Sequence, residues 1–149
     1  MRAVVQRVSR ASVTVNDQVV GSIGRGMMVL LGILDSDTEA DADWMASKLI
    51  SMRVFPDDHD KMNRSVLDCG GEVLIVSQFT LYGDTRKGNR PSFIRSAGPA
   101  IARPLVDRVI QRCEELTGKP VATGIFGAMM QVELINDGPV TLIIDSKEV

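Results

Sequence analysis

The chain has 149 residues, a formal net charge of -2, 44% hydrophobic residues and 24% charged ones. These are the proportions of one ordinary globular domain spanning residues 1–149, and a domain of that length removes roughly 70% of its unfolded surface from water. The near-neutral balance excludes a uniformly basic nucleic-acid binder, no apolar run approaches the ~20 residues of a membrane span, and Cys69 and Cys113 are too few for a disulfide scaffold.

The first residues, "MRAVVQRVSR", carry charges and no apolar stretch of signal-peptide type, so a cytoplasmic, reducing location is expected. "AVVQRVSRASVTV" mixes alternation with β-branched residues; "NDQ" then turns it into "VVGSI", giving a strand, a hairpin and a strand. "MMVLLGIL" is a continuous apolar run of the length of a buried strand. Ser36 followed by Glu39 reads as a capping box opening a helix to about Val54, with Ala42, Met45, Ala46, Leu49 and Ile50 as its apolar stripe. After a polar loop, "GGEVLIVSQFTLYG" reads as a second buried strand.

A second helix starts near Pro99 and Pro104, where proline is tolerated. Ile101, Leu105, Val109, Ile110, Cys113 and Leu116 follow helical spacing, and Gly118 ends it. "MMQVELI" and "VTLIID" close the chain as two strands, separated by the turn signal Asn-Asp-Gly-Pro at 136–139. Two helices against many strands imply an α/β, sheet-rich domain: two β layers with both main helices on one side, a β/β/α arrangement.

The inventory of reactive groups is short. The one histidine, His59, lies in "PDDHDKMN" with no second histidine or paired cysteine, so no metal and no other cofactor is expected, and a Ser-His-Asp triad lacks support. No P-loop or dinucleotide fingerprint opens a helix. The densest polar stretch is "SQFTLYGDTRKGNRPSF", residues 77–93. Ser77, Gln78 and Thr80 directly follow the apolar "EVLIV", and a buried strand rarely ends in three hydrogen-bonding side chains for packing alone. Alternation places Gln78 and Thr80 on one face, with Ser77 and Phe79 on the other. Residues 85–95 hold four basic side chains and no acid. A hydroxyl, an amide, an aromatic ring and a basic loop together suit the end of an RNA or a nucleotide ester.

"SQFTLYGDTRKGNRPSF" and "NDGPVTL" together resemble the two signature motifs of the D-aminoacyl-tRNA deacylases; "QRVSRASVTV" and "TGIFGAMMQVELINDGPVT" agree as well, so the resemblance covers the whole chain. It implies an enzyme that hydrolyses the ester of D-aminoacyl-tRNA to a free D-amino acid and tRNA, a chiral proofreading step in translation. It also implies a homodimer whose substrate is the aminoacylated 3′ end of tRNA. Ser77, Gln78, Phe79 and Thr80 would line the pocket for the terminal adenosine and its ester. Phe126 and Met129 match positions near the adenosine, and Arg7 matches a residue that holds the Gly-Pro loop. Gly138 and Pro139 match the family's Gly-cis-Pro, a backbone rim inserted from the partner subunit that receives the substrate's α-ammonium group and refuses an L side chain. A glycyl ester, lacking a side chain, should pass this filter. Arg86, Lys87 and Arg90 are expected to neutralise phosphates. Two alternatives stay open: Thr80 acting as a covalent nucleophile, and a non-catalytic RNA- or nucleotide-binding dimer.

Overall fold

A computed structural model describes residues 1–147. Strand β1 (Arg2–Val15) is the spine. A turn at Asn16 and Asp17, both with positive φ (48° and 60°), leads to β2 (Gln18–Ile23), the hairpin chemistry expected of adjacent Asn and Asp. Then follow β3 (Gly26–Gly32), helix α1 (Glu39–Ser51), the short hairpin β4 (Phe55–Pro56) and β5 (Met62–Arg64), and β6 (Glu72–Ser77). Helix α2 (Pro99–Thr117), β7 (Ala122–Thr123) and β8 (Gln131–Asp145) complete the order. The main sheet runs β2-β1-β3-β6-β7, with β8 on the other side of β1.

The pairs β3/β6 and β6/β7 are parallel, and parallel neighbours need long crossovers. α1 and α2 supply them and pack on one another, where Arg108 Nε donates to Asp43 Oδ1 at 2.8 Å.

Strands β3 and β6 bury both faces, which is why their sequences are continuously apolar rather than alternating. Met27, Val29, Leu31, Val73 and Ile75 meet Met45 and Leu49 of α1 and Leu105 and Val109 of α2. Met28, Leu74 and Val76 instead meet Val8, Val13 and Ile23 in a second core between two β layers. Each such side chain contributes about 1.5–3 kcal/mol on burial. β1 serves both cores because its pairing with β8 is irregular between Gln6 and Val8 and again between Val8 and Arg10. Its inward residues change from Ala3 and Val5 in the first core to Val8, Ala11 and Val13 in the second. β2 closes over the second core against β7, where a Cβ on Gly21 would lie 2.4 Å from the Thr123 carbonyl oxygen; only glycine permits that approach. The expected β/β/α layering is the architecture observed.

Four local expectations are corrected. The capping box lies at Thr38 and Asp41, not at Ser36 and Glu39: Asp41 accepts the Thr38 N–H at 2.9 Å, while Ser36 is engaged by Lys147. Helix α1 accordingly ends at Ser51, short of Val54. The strand expected over residues 70–83 is only Glu72–Ser77 and then winds into a 3-10 turn at Phe79–Tyr82. Finally, Asn-Asp-Gly-Pro does not reverse the chain. Both flanks pair antiparallel with β1, so Gly138 and Pro139 sit within one strand, β8. Between Gln6↔Thr141 and Val8↔Asn136, five steps of β8 oppose two of β1, and the surplus bulges outward as a loop. Among the described residues, no helix is long and apolar enough to cross a membrane.

Candidate active site

The site grows from the C-terminal end of β6, where a parallel sheet opens. The last ladder bond runs from the Gln78 N–H to the Leu31 carbonyl at 2.8 Å. The chain then turns, and the Gly83 N–H closes on the Thr80 carbonyl at 2.9 Å. Phe93 packs over that turn: a Cβ on Gly83 would lie 2.9 Å from its ring and 3.0 Å from the Thr80 oxygen. The Ser96 hydroxyl donates to the Phe79 carbonyl at 2.8 Å. Phe79 and Phe93 meet edge to face with centroids 5.1 Å apart.

These contacts shape one wall of a cleft of about 670 Å³. Ser77, Gln78 and Phe79 line it on one side and Phe126 and Met129 on the other, above an apolar floor that includes Leu31, Val76 and Val106. The guanidinium of Arg103 stands over the Phe126 ring at 6.0 Å. Met129 is 92% exposed although it lines the cleft, an apolar side chain left in solvent. Thr80 lies just outside the lining residues. Its hydroxyl accepts the Gln78 side-chain amide, so the 3-10 turn still puts Gln78 and Thr80 together, as alternation had done for a strand. Ser77 and Phe79 line the cleft together, as alternation pairs them; the departure is that Gln78, placed on the opposite face, lines the same cleft.

The basic loop starts beside the cleft. Arg86 forms an ion pair with Asp84, and this hydrogen-bonded guanidinium, with the Arg86 N–H, holds the Asp84 carboxyl well below the usual carboxylate range. Lys87 and Arg90 are exposed and in no ion pair among the described residues.

Gly138 and Pro139 lie elsewhere. Their peptide bond is cis, both are exposed, and neither lines the cleft of their own chain. The loop is held at its base. Arg7 Nε donates to the Asp137 carbonyl at 2.9 Å, Arg7 Nη1 donates to the Val54 carbonyl at 2.7 Å, and Asn136 Nδ2 donates to the carbonyls of Arg7 and Val140 at 3.0 Å each. The structure thus brings Ser77, Gln78, Phe79, Phe126 and Met129 together, with Thr80 adjoining, and separates Arg7, Gly138 and Pro139 from them. Sequence reasoning missed Phe93, Ser96, Arg103 and Asn136. Phe93 and Asn136 lay inside the quoted motifs, but their partners are distant in sequence and gave no local signal.

In the His59 loop, Asp57 accepts the backbone N–H groups of His59 and Lys61, and no group of three or more His, Cys, Asp or Glu among the described residues could hold a metal.

Residues 4–145 match the family model described as D-Tyr-tRNA(Tyr) deacylase. The chain belongs to this family. A protein named D-aminoacyl-tRNA deacylase from a Roseiflexus species is 59% identical over 146 residues, 98% of this chain and 94% of that relative. A solved structure titled c-Myc DNA Unwinding Element Binding Protein is 41% identical and covers 99% of this chain and 100% of its own, with a TM-score of 0.92. A probable eukaryotic D-amino acid tRNA deacylase shares the deacylase fold at a TM-score of 0.83 and 22% identity, covering 96% of this chain and 97% of its own.

Proposed function

We propose that this protein hydrolyses the ester bond of D-aminoacyl-tRNA, releasing a D-amino acid and intact tRNA, as a chiral proofreading step in the cytoplasm. The observation that carries the reading is the cleft at the end of β6: an aromatic and apolar slot for a base, edged by the Ser77 hydroxyl and the Gln78–Thr80 pair. Family membership names the ester. An aminoacyl ester is already activated, and the neighbouring ribose hydroxyl can assist attack by water. The protein then has to position the ester and offer oriented donors, tasks that suit Ser77, Gln78 and backbone N–H groups.

Selection is assigned to the Gly138–Pro139 backbone rim of a partner subunit. The outward bulge of this loop, its exposure, and its separation from its own chain's cleft support that assignment. A homodimer also gives cover to β8, which pairs with β1 alone among the described strands and exposes Ile135, Leu142 and Ile143. Arg7 keeps the loop in shape, and Phe126 and Met129 bracket the adenosine.

The covalent alternative needs a base beside Thr80, and the only side chain bonded to its hydroxyl among the described residues is the Gln78 amide, a donor. The non-catalytic alternative draws on the name of the 41%-identical relative, a DNA-element-binding protein, and on the exposed basic loop. Incubating the purified protein with a stoichiometric excess of D-tyrosyl-tRNA separates the readings. Repeated release of D-tyrosine supports hydrolysis; retention of the intact ester in a stable complex supports binding alone.

A further inference from the structure

On the far side of the Phe79–Tyr82 turn lies a second, smaller cleft of about 230 Å³. Arg2, Tyr82, Gly83, Asp84, Arg86 and Arg95 contribute to its walls. Tyr82 is 4% exposed, and two guanidinium groups face its ring: Arg2 at 5.2 Å and Arg95 at 6.0 Å from the centroid. The ring attracts both cations electrostatically and so fixes where they stand. Two like charges converging on one ring repel unless anions offset them. Asp145 does so for Arg2 at 2.9 Å, and Asp84 does so for Arg86. Among the described residues, Arg95 is thus the guanidinium of this cleft that no carboxylate engages in an ion pair. The Tyr82 hydroxyl is buried and has no hydrogen-bond partner among the described residues; burial raises its pKa, so it remains a donor.

We infer that this cleft is a subsite for a phosphodiester of the RNA acceptor strand, held by Arg95 together with Arg2 on the Tyr82 platform. The inference rests on the reading that the larger cleft takes the terminal adenosine. The two clefts are walled by consecutive residues of one turn, Phe79 on the first and Leu81 to Gly83 on the second. A strand whose last base occupies the first cleft therefore carries its preceding phosphates past the second. A planar guanidinium can grip a phosphate through two parallel N–H donors, which a lysine cannot reproduce. The site reads no base and so adds affinity without sequence preference.

The test compares two substrates of one purified enzyme: D-aminoacyl-tRNA, and D-aminoacyl-adenosine, which carries the ester but no phosphate. Arg95 is exposed, so Arg95→Gln should fold normally. The expected result is a fall of about tenfold in kcat/KM on the tRNA, with the ratio of tRNA to adenosine-ester turnover falling equally and the log-log salt slope flattening by about one unit. Arg95→Lys should recover part of the loss. Unchanged tRNA turnover and slope would overturn the subsite while leaving the ester site standing. An equal fall on both substrates would also overturn it, because Arg95 would then act through the ester site. If the wild-type protein cleaves neither ester, the reading of the larger cleft fails separately. Binding of uncharged tRNA then decides the subsite: Arg95→Gln must weaken it about tenfold, and equal affinity would reject it.

Discussion

Arg7 and Asp137, 130 residues apart, are joined twice: Arg7 Nε donates to the Asp137 carbonyl at 2.9 Å and lies 3.3 Å from its carboxylate. The same guanidinium donates to the Val54 carbonyl at 2.7 Å, so one largely buried side chain ties the loop of β8 to the segment that enters β4. Arg7→Ala should cost about 1.5–3 kcal/mol through lost hydrogen bonds of a charged group, visible as a Tm lower by several degrees. Turnover should fall further, about 10–100-fold, because the loop loses its placement. Arg10→Ala is the control: Arg10 is exposed and meets Glu133 only at 3.7 Å, so both quantities should hardly change. Equal effects from the two variants would remove Arg7 from the account.

Thr80 is expected to position rather than attack. Thr80→Ala should retain turnover within about tenfold, the scale of one lost hydrogen bond. A substrate whose terminal ribose lacks the hydroxyl beside the ester should lose far more. Mass spectrometry of the quenched reaction checks the alternative directly, since an acyl group trapped on Thr80 would establish covalent catalysis.

The basic loop divides by partner. Lys87→Ala and Arg90→Ala should each flatten the salt dependence of tRNA binding by up to about one log-log unit. Arg86→Ala should do less, because Asp84 already neutralises that guanidinium. Unchanged slopes for Lys87 and Arg90 would make the loop a solvated surface.

The three layers were legible because β3 and β6 carry unbroken apolar runs, Met27–Leu31 and Val73–Val76, and the helices are apolar at every third or fourth position, patterns fixed by which faces each element buries. The end of β6 was not. Phe79 to Tyr82 carry strand-like residues, and the Leu81 bond to Gln78, the Gly83 bond to Thr80 and the contacts of Phe93 and Ser96 wind them into a 3-10 turn. Asn-Asp-Gly-Pro misled for a related reason: its local chemistry is that of a reversal, yet β1 pairs with both flanks and forces the surplus residues outward. Ser77, Gln78 and Phe79 were found from a motif; their meeting with Phe126 and Met129, some 50 residues away, depends on the crossover through α2.

If selection works by refusing a side chain on one face, a residue with no side chain cannot be refused. Glycyl-tRNA should therefore be deacylated measurably while L-alanyl-tRNA is largely spared. Equal resistance of the two would mean that the site selects by gripping the D side chain.

The most direct test of the central claim is a pair of initial rates, on D-tyrosyl-tRNA and L-tyrosyl-tRNA, with the same purified protein and the same tRNA. Backbone selection at Gly138–Pro139 predicts turnover of the D ester at least a hundredfold faster, a difference of about 2.7 kcal/mol or more at the transition state. Equal rates on the two esters, or no release from either, would contradict it.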